Sequence, residues 1–323
     1  MSERICDTHC SFVGRFIQSF AIFNRRLLFP DDTRFPIERA HMRVLELPDH
    51  DLTARCVLVP TMGALHGGHV SLIEAAARRA KIEGVPSAVS IFVNPKQFNE
   101  QADFDKYPNR MADDLAMCEG AGVDIVFNPA VEIVYPPDED VTSGIIIPDI
   151  ATKPELEDRY RPGHFEGVCQ VVSRLFDLCD PSAAVFGEKD WQQLGCIRAM
   201  SKQQGRDLAI IPARTVREES GLAMSSRNLN LSSDAREQAI AISQALFAAS
   251  SVRTPELAES LMQEMLAAGG IEPEYAVIRS SETLMPMADM GSPTHEPCRA
   301  LIAANVGGVR LIDNVPWTPI AYA

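Results

Sequence analysis

The fold is decided by the stretch RCVLVPTMGALHGGH, residues 55–69. Its apolar run at 57–59 is rich in β-branched side chains and gives way to turn residues, which is typical of a buried strand. The following segment SLIEAAARRA (71–80) has apolar side chains at helical spacing, and Ser71 and Glu74 offer a capping box. Strand, glycine-rich turn and helix in this order can bind an anion through backbone N–H groups and the helix dipole.

Four more strand-like runs follow: SAVSIFVNP at 87–95, VDIVFNP at 123–129, AAVFG at 183–187 and LAIIP at 208–212. Amphipathic segments such as HFEGVCQVVSRLFDLCD (164–180) separate them. This alternation predicts an α/β fold with a Rossmann-like, doubly wound, mostly parallel sheet. Ligands of such sheets bind beyond the carboxyl ends of the strands, so the polar segments there should converge on one crevice.

The last third of the sequence has a different pattern. Residues 232–250 and 254–270 predict two helices, the second with Thr254 as N-cap and Pro255 in its first turn. PEYAVIRS (273–280) and RALIAANVGGVRLIDNV (299–315) predict a small antiparallel sheet with a hairpin at Gly307-Gly308. We therefore expect an N-terminal segment at 1–50 with no clear pattern, a Rossmann-like domain at 51–213, and a smaller C-terminal α+β domain at 214–323.

Composition excludes several classes of protein. The chain has 323 residues, 46% hydrophobic, and a formal net charge of −14, which argues against a general nucleic-acid binder. No apolar stretch approaches the roughly 20 residues of a membrane span, and the N-terminus lacks the features of a secretory signal. The eight cysteines are scattered, and CDTHC (6–10) has no second pair at zinc-finger spacing, which favours free thiols in a reducing compartment.

His66 and His69 stand where the first strand gives way to its helix. A structural turn would explain a single histidine there. Zinc would need further ligands, which the surrounding sequence does not supply. Imidazoles at a helix N-terminus suit phosphoryl or adenylyl transfer, in which pre-placed donors meet the charge on phosphate oxygens.

Four other polar segments are candidates for the same crevice. FGEKDWQQ (186–193) offers Lys189 as a point charge for phosphate, and SIFVNPKQF (90–98) offers Gln97 for a polar small molecule. GLAMSSRN (221–228) has the hydroxyls and guanidinium of a loop that closes over polyphosphate, or of an ordinary interdomain loop. Arg161 in RPGHF (161–165) either anchors an anion or belongs to a structural turn. The acidic face of Asp113 and Asp114 is expected to be solvated.

Three familiar motifs are missing from the sequence. It has no GxxxxGK[ST], so a P-loop would not hold the phosphate, and no GxSxG, which disfavours an esterase. No GxGxxG follows a strand, which disfavours a nicotinamide dehydrogenase.

Together these segments resemble the pantothenate synthetase family of AMP-forming ligases, within the wider class of nucleotidylyltransferase-like proteins with HxGH. PTMGALHGGH, SIFVNPKQF, RPGHFEGV, FGEKDWQQ and GLAMSSRN occur in the family's order. The resemblance covers roughly residues 55–320, so the segment 1–50 is divergent, and it implies that the smaller C-terminal domain closes over the active site. The resemblance implies an ATP-dependent condensation of pantoate with β-alanine through a pantoyl adenylate, releasing AMP and pyrophosphate. It also implies Mg²⁺ delivered with ATP and a cytoplasmic homodimer, with neither nucleic acid nor membrane as partner.

The resemblance further implies roles for individual residues. His69, the family's proposed general acid, would act with His66, Lys189 and Arg227 on the phosphates. Gln97 and Gln193 would hold pantoate, with Arg161 as a further polar contact. The implied ATP-binding residues are Met62, Gly63, Ala64, Leu65, His66, Gly67, Gly68, His69, Gly187, Glu188, Lys189, Asp190, Val216, Met224, Ser225, Ser226 and Arg227.

Some positions depart from the family's pattern, namely Asn109, Asp158, Gln170, Ser220 and Asn230. None of them carries an implied catalytic role, so they bear on loop closure and affinity. Three other functions remain open on the sequence: a nucleotidyltransferase that stops after adenylyl transfer, an aminoacyl-tRNA synthetase, and a non-catalytic nucleotide sensor.

Overall fold

A computed structural model describes residues 42–48, 55–98, 104–105 and 107–318. In this part of the chain six strands form one parallel sheet in the order β1-β4-β3-β2-β5-β6. The strands are β1 (Arg43–Leu45), β2 (Val57–Thr61), β3 (Ser87–Ile91), β4 (Ile125–Phe127), β5 (Ala183–Gly187) and β6 (Ala209–Ala213). The predicted parallel α/β sheet is confirmed. Cys6, Cys10 and most of the predicted segment 1–50 lie outside the described residues.

Helices cover both faces of the sheet, because successive strand side chains point to opposite sides. They are α1 (Gly67–Glu83), α2 (Met111–Ala121), α3 (Val131–Val134), α4 (Glu157–Tyr160), α5 (His164–Cys179) and α6 (Trp191–Gln203). Leu58 belongs to the core that includes α5 and α6, whereas Val57 and Val59 belong to the core that includes α1. These strand residues are fully buried, which explains why the strands read as continuous apolar runs.

Helix α1 begins earlier than the sequence predicted, so the capping box at Ser71 and Glu74 is wrong. His66 is the N-cap, and its side chain accepts a hydrogen bond from the Gly68 N–H. The His69 side chain in turn accepts a bond from the His66 N–H, which completes a capping box made of two imidazoles. This box was not predicted because the usual capping-box pattern is Ser or Thr followed three residues later by Glu or Gln, and two histidines do not match it.

The predicted antiparallel sheet is also confirmed. Strands β7 (Pro273–Ser280), β8 (Cys298–Val306) and β9 (Val309–Trp317) lie in that order, with a hairpin between the last two. Helices α7 (Ser233–Ala249) and α8 (Pro255–Ala268) pack on this sheet in a separate core. Thr254 caps α8 as predicted, since its side chain accepts from the Leu257 N–H. The proposed domain boundary near residue 214 stays a prediction.

One strand was not predicted at all. β1 pairs with β4 at the edge of the parallel sheet, although its sequence RVL is too short to carry a periodic signal. All six cysteines of the described residues are buried free thiols, as expected. None of the helices described is long and apolar enough to cross a membrane.

Candidate active site

The strand order reverses between β2 and β5. From β2 the chain moves outward through β3 and β4, whereas from β5 it moves the other way to β6. A crevice forms at such a switch point, beyond the carboxyl ends of the two strands. The turn at 60–69 follows β2 and the turn Glu188–Asp190 follows β5, so both predicted phosphate-facing segments flank this crevice.

The turn after β2 is held by a carboxylate that the sequence analysis assigned to solvent. Asp114 on α2 is 2% exposed, and its carboxylate accepts from the N–H groups of Ala64 at 2.9 Å and Leu65 at 2.7 Å. Ala64 has a φ of 50°, a conformation that a side chain makes unfavourable and that these bonds stabilise. The solvated face expected of Asp114 is therefore wrong, whereas Asp113 is exposed and pairs with Arg110.

The two imidazoles lie against each other at the start of α1, with ring centroids 4.1 Å apart and ring planes tilted by 42°. His66 Nδ1 accepts from the Gly68 N–H at 3.1 Å, and His69 Nδ1 accepts from the His66 N–H at 3.3 Å. Each neutral ring therefore carries its proton on Nε2, which leaves an N–H donor on each. Burial and the neighbouring His66 lower the pKa of His69 to about 3, and burial with nearby Lys189 also lowers the pKa of His66.

The turn after β5 carries Lys189, whose ammonium lies 3.8 Å from the Asp190 carboxylate. The Asn314 side chain donates to the carbonyl oxygens of Glu188 at 3.0 Å and Lys189 at 2.7 Å. Arg299 donates to the Glu188 carboxylate at 3.4 Å and stacks over Trp191. The backbone of this turn is thus fixed by the antiparallel sheet.

The loop that precedes Arg227 is a small hairpin. Met224 N–H donates to the Val216 carbonyl, and Arg217 pairs with Ala223 as an antiparallel bridge. Ser225 caps the following 3₁₀ turn by accepting from the Arg227 N–H. The loop is therefore held by hydrogen bonds of its own where it enters the cleft.

Gln97 follows β3 in a 3₁₀ turn whose cap is Asn94, a residue that the sequence analysis did not single out. Asn94 is fully buried, and its amide donates to the Gly167 carbonyl at 3.1 Å while its oxygen accepts from Tyr135 at 2.9 Å. A Cβ on Gly167 would overlap the Lys96 carbonyl oxygen, so α5 approaches this turn closely only because residue 167 is glycine.

Arg161, between α4 and α5, and His164, the first residue of α5, both line the cleft. The Arg161 guanidinium lies 3.7 Å from the buried carboxylate of Glu157. Burial and the nearby charge of Arg227 lower the pKa of Arg161 to about 10. His164 Nδ1–H donates to the Gln97 carbonyl at 3.3 Å, and burial and the Arg161 charge lower its pKa to about 3.

These segments enclose a cavity of about 240 Å³. The predicted site residues in its wall are Met62, His66, Gly68, His69, Gln97, Arg161, Gly187, Lys189, Asp190, Gln193, Val216, Met224, Ser225, Ser226 and Arg227. Gly63, Ala64 and Leu65 are buried behind the wall, Gly67 is exposed, and Glu188 is bonded to Arg299. The wall also contains Tyr107 and Arg214, which the sequence analysis did not name.

The cleft is cationic although the whole chain is acidic. Its wall contains the cations Lys189, Arg161, Arg214 and Arg227. Among the described residues of the wall, Asp190 is the only one with a carboxylate. Nowhere among the described residues do three His, Cys, Asp or Glu side chains cluster as metal ligands. The cations of the wall are suited to a polyanion.

A doubly wound sheet with a helix N-terminus, two imidazole donors and several cations at its switch point defines the class of α/β nucleotide-binding proteins. Comparison with known proteins identifies the family within this class. The family model described as pantoate-beta-alanine ligase matches residues 38–316, and the chain belongs to that family.

Individual relatives agree with this assignment. Pantothenate synthetase of Nocardioides sp. is 45% identical over 269 residues, covering 80% of this chain and 78% of the relative. The enzyme of Akkermansia muciniphila is 42% identical over 284 residues, covering 86% and 97%. The crystal structure of the Thermus thermophilus enzyme matches with a TM-score of 0.78 at 37% identity, covering 86% of this chain and all of that one. A Francisella tularensis pantoate-beta-alanine ligase, crystallised with beta-gamma ATP and beta-alanine, matches with a TM-score of 0.68 at 33% identity, covering 85% and 98%.

Proposed function

We propose that this chain joins pantoate to β-alanine at the expense of ATP, forming pantothenate, AMP and pyrophosphate. The observation that carries the proposal is the convergence, in a member of this family, of four cationic side chains and two imidazole N–H donors on one cavity. A carboxylate is a poor acylating agent, so an amide bond from pantoate requires activation of its carboxyl group. A cavity suited to polyphosphate supplies the place for that activation.

In the first step, a pantoate carboxylate oxygen attacks the α-phosphorus of ATP and pyrophosphate leaves with the bonding electrons. His66 and His69 donate Nε2–H bonds to phosphate oxygens, and Lys189 and Arg227 stabilise the charge that develops there. The lowered pKa of His69 means that the free enzyme holds this ring neutral at pH 7. Bound polyphosphate would raise that pKa, and a second proton that the ring then takes up from solvent can pass to the leaving pyrophosphate, which leaves the ring neutral again.

In the second step, the β-alanine amine attacks the carbonyl carbon of pantoyl adenylate. AMP leaves, and the nitrogen loses a proton as the amide forms. Gln97 and Gln193 are proposed to hold pantoate, and Arg161 to make a further polar contact, because all three side chains line the cavity. Water must be kept from the adenylate between the steps, and we assign that role to the hairpin loop ending at Arg227 and to the smaller C-terminal domain at 214–323.

Magnesium is proposed to arrive with ATP, held mainly by phosphate oxygens and water. The donor set supports this, since Mg²⁺ needs few protein carboxylates and Asp190 is available in the wall. The ion would neutralise phosphate charge during adenylation. A homodimer in the cytoplasm is proposed on the family resemblance alone.

The test is a pair of assays on one preparation. Incubation with ATP, Mg²⁺, labelled pyrophosphate and pantoate should give label in ATP, and exchange should require pantoate. Adding β-alanine should then give AMP and pantothenate in equal amounts. Formation of a stable dinucleotide would instead indicate a nucleotidyltransferase, and exchange driven by an amino acid an aminoacyl-tRNA synthetase. Binding of ATP without exchange would indicate a nucleotide sensor, and each of these outcomes would refute the proposal.

A further inference from the structure

Three cations of the cleft come from segments that are far apart in sequence. Arg161 precedes α5, Lys189 follows β5, and Arg227 ends the hairpin loop. Like charges repel, so bringing three such side chains around one cavity before a polyanion arrives raises the free energy of the empty enzyme. Each of the three must therefore be anchored, through its backbone or its side chain, and every anchor involves a residue of the same strand, β9.

Lys189 has the most direct anchor. Asn314 of β9 is 4% exposed and donates to the carbonyl oxygens of both Glu188 and Lys189. Its own side-chain oxygen accepts a bond from Arg299 of β8, so the amide cannot turn over without losing all three contacts.

Arg161 is anchored through Glu157. Arg310 of β9 makes two bonds of 2.7 Å to the Glu157 carboxylate, and Tyr275 donates to it at 2.8 Å. The carboxylate lies 3.7 Å from the Arg161 guanidinium. Burial alone would raise the pKa of Glu157, but the bonds from Arg310 lower it, so Glu157 stays charged beside Arg161.

The hairpin that leads to Arg227 is anchored through Arg217. Asp313 of β9 accepts two bonds from Arg217, at 2.6 Å and 2.9 Å, and is 4% exposed. The same guanidinium donates to the Gly221 carbonyl at 3.1 Å, which ties it to the far side of the hairpin. Because side chains alternate along a strand, Arg310 and Asn314 share one face of β9 and Asp313 occupies the other.

We propose that β9 is the common positioning element of the cleft, with Asn314 placing Lys189, Arg310 placing Arg161 through Glu157, and Asp313 placing the Arg227 loop through Arg217. This inference rests on the proposed function. The three β9 residues are positioning residues and not catalytic ones, because each acts through another side chain or through the backbone and none is assigned a contact with the substrates. The strand sets the distances among the cations, and the sequence motifs supply only the cations themselves.

The decisive experiment is a double-mutant cycle between Asn314→Asp and Lys189→Ala. Aspartate keeps the shape of asparagine but cannot donate, so it would repel the two carbonyl oxygens. We expect Asn314→Asp alone to lower kcat for pantoate-dependent exchange, and to weaken ATP binding measured by calorimetry, each by about tenfold. In the Lys189→Ala background the same change should have less than a twofold effect, since the group that it positions is gone. In the Arg161→Ala background its full effect should remain.

A purely structural role predicts something different, namely an equal effect of Asn314→Asp in all three backgrounds, and that result would overturn the inference. Asn305→Asp, at an exposed position of β8, is the matched control. It should change neither kcat for exchange nor the affinity for ATP. Thermal unfolding identifies variants that fail to fold. If Asn314→Asp fails to fold, a double-mutant cycle between Asp313→Asn and Arg227→Ala tests the inference instead.

Failure of the inference is distinguishable from failure of the proposed function. If the wild-type protein shows no pantoate-dependent exchange, the proposed reaction is refuted. The cycle on ATP affinity can still be completed on that protein, and coupling confined to the matching pair of residues would still support β9 as the positioning element.

Discussion

Replacement of Asp114 by asparagine should loosen the turn that carries both imidazoles. The carboxylate accepts from two backbone N–H groups, at 2.9 Å and 2.7 Å, and is buried. Asparagine can accept only one of these bonds, and its NH₂ group would face the other donor. Losing one charge-assisted bond and weakening the second should lower the free energy of unfolding by about 3 kcal/mol.

The same change should reduce activity, because the two residues that Asp114 holds immediately precede His66. A displaced histidine pair should lower kcat for exchange about tenfold in protein that is still folded at the assay temperature. Urea unfolding followed by circular dichroism measures the first effect, and pantoate-dependent exchange measures the second.

Asp113→Asn is the matched control, one residue away on the same helix. Its side chain is 57% exposed and pairs with Arg110 at the surface, so the change should cost less than about 0.5 kcal/mol. If Asp114→Asn proves as stable and active as Asp113→Asn, the two bonds do not support the turn and the reasoning is refuted.

Three further substitutions test other parts of the site. Gly167→Ala should destabilise the protein by about 1–3 kcal/mol in urea unfolding, because the new methyl group would overlap the Lys96 carbonyl. His164→Asn should keep the bond to the Gln97 carbonyl and remove a titrating ring. The wild-type ring is harder to protonate folded than unfolded, so its contribution to stability is complete above pH 6.5 and is lost as pH falls toward 3. From pH 6.5 to 5.5 the wild-type should therefore lose about 1 kcal/mol more than His164→Asn. His69→Ala should lower kcat for exchange about 10²-fold or more, as for the loss of a positioned donor.

Each of these predictions has a control or a contrary outcome. Gly120→Ala introduces a methyl group with no neighbour within 4 Å and should not destabilise the protein. If Gly167→Ala is as stable in urea unfolding as Gly120→Ala, the close approach of α5 to the Lys96 carbonyl is contradicted. If the slope of stability against pH is the same in His164→Asn as in the wild-type, the assigned effect of burial on His164 is contradicted. Wild-type rates in folded His69→Ala would rule out its role.

Local patterns in the sequence were sufficient to predict most of the fold. The strand at 57–61 and the helix capped by Thr254 were predictable because apolar spacing and capping are properties of neighbouring residues. β1 escaped prediction because its pairing with β4, more than eighty positions away, makes it a strand. Its own three residues carry too little pattern.

The functional site, like the fold, was predictable where local sequence determines it and not where long-range contacts do. The segments with His66, Gln97, Lys189 and Arg227 were predicted, and the structure brings them to one cavity. The groups that hold them were missed, because a contact such as Asp114 with Leu65 joins residues 49 positions apart. Nothing in the local sequence distinguishes buried Asp114 from its solvated neighbour Asp113.

The order of the anchors along the chain has a consequence for synthesis. A ribosome adds residues 310–314 after every segment that they hold, so the parallel sheet can form while the cleft still lacks its supports. A nascent chain arrested before β9 should resist proteolysis in its sheet, yet ATP should give its phosphate-facing loops no added protection. That protection should appear only once β9 has left the exit tunnel, which would make the ability to bind nucleotide a late event in the folding of this enzyme.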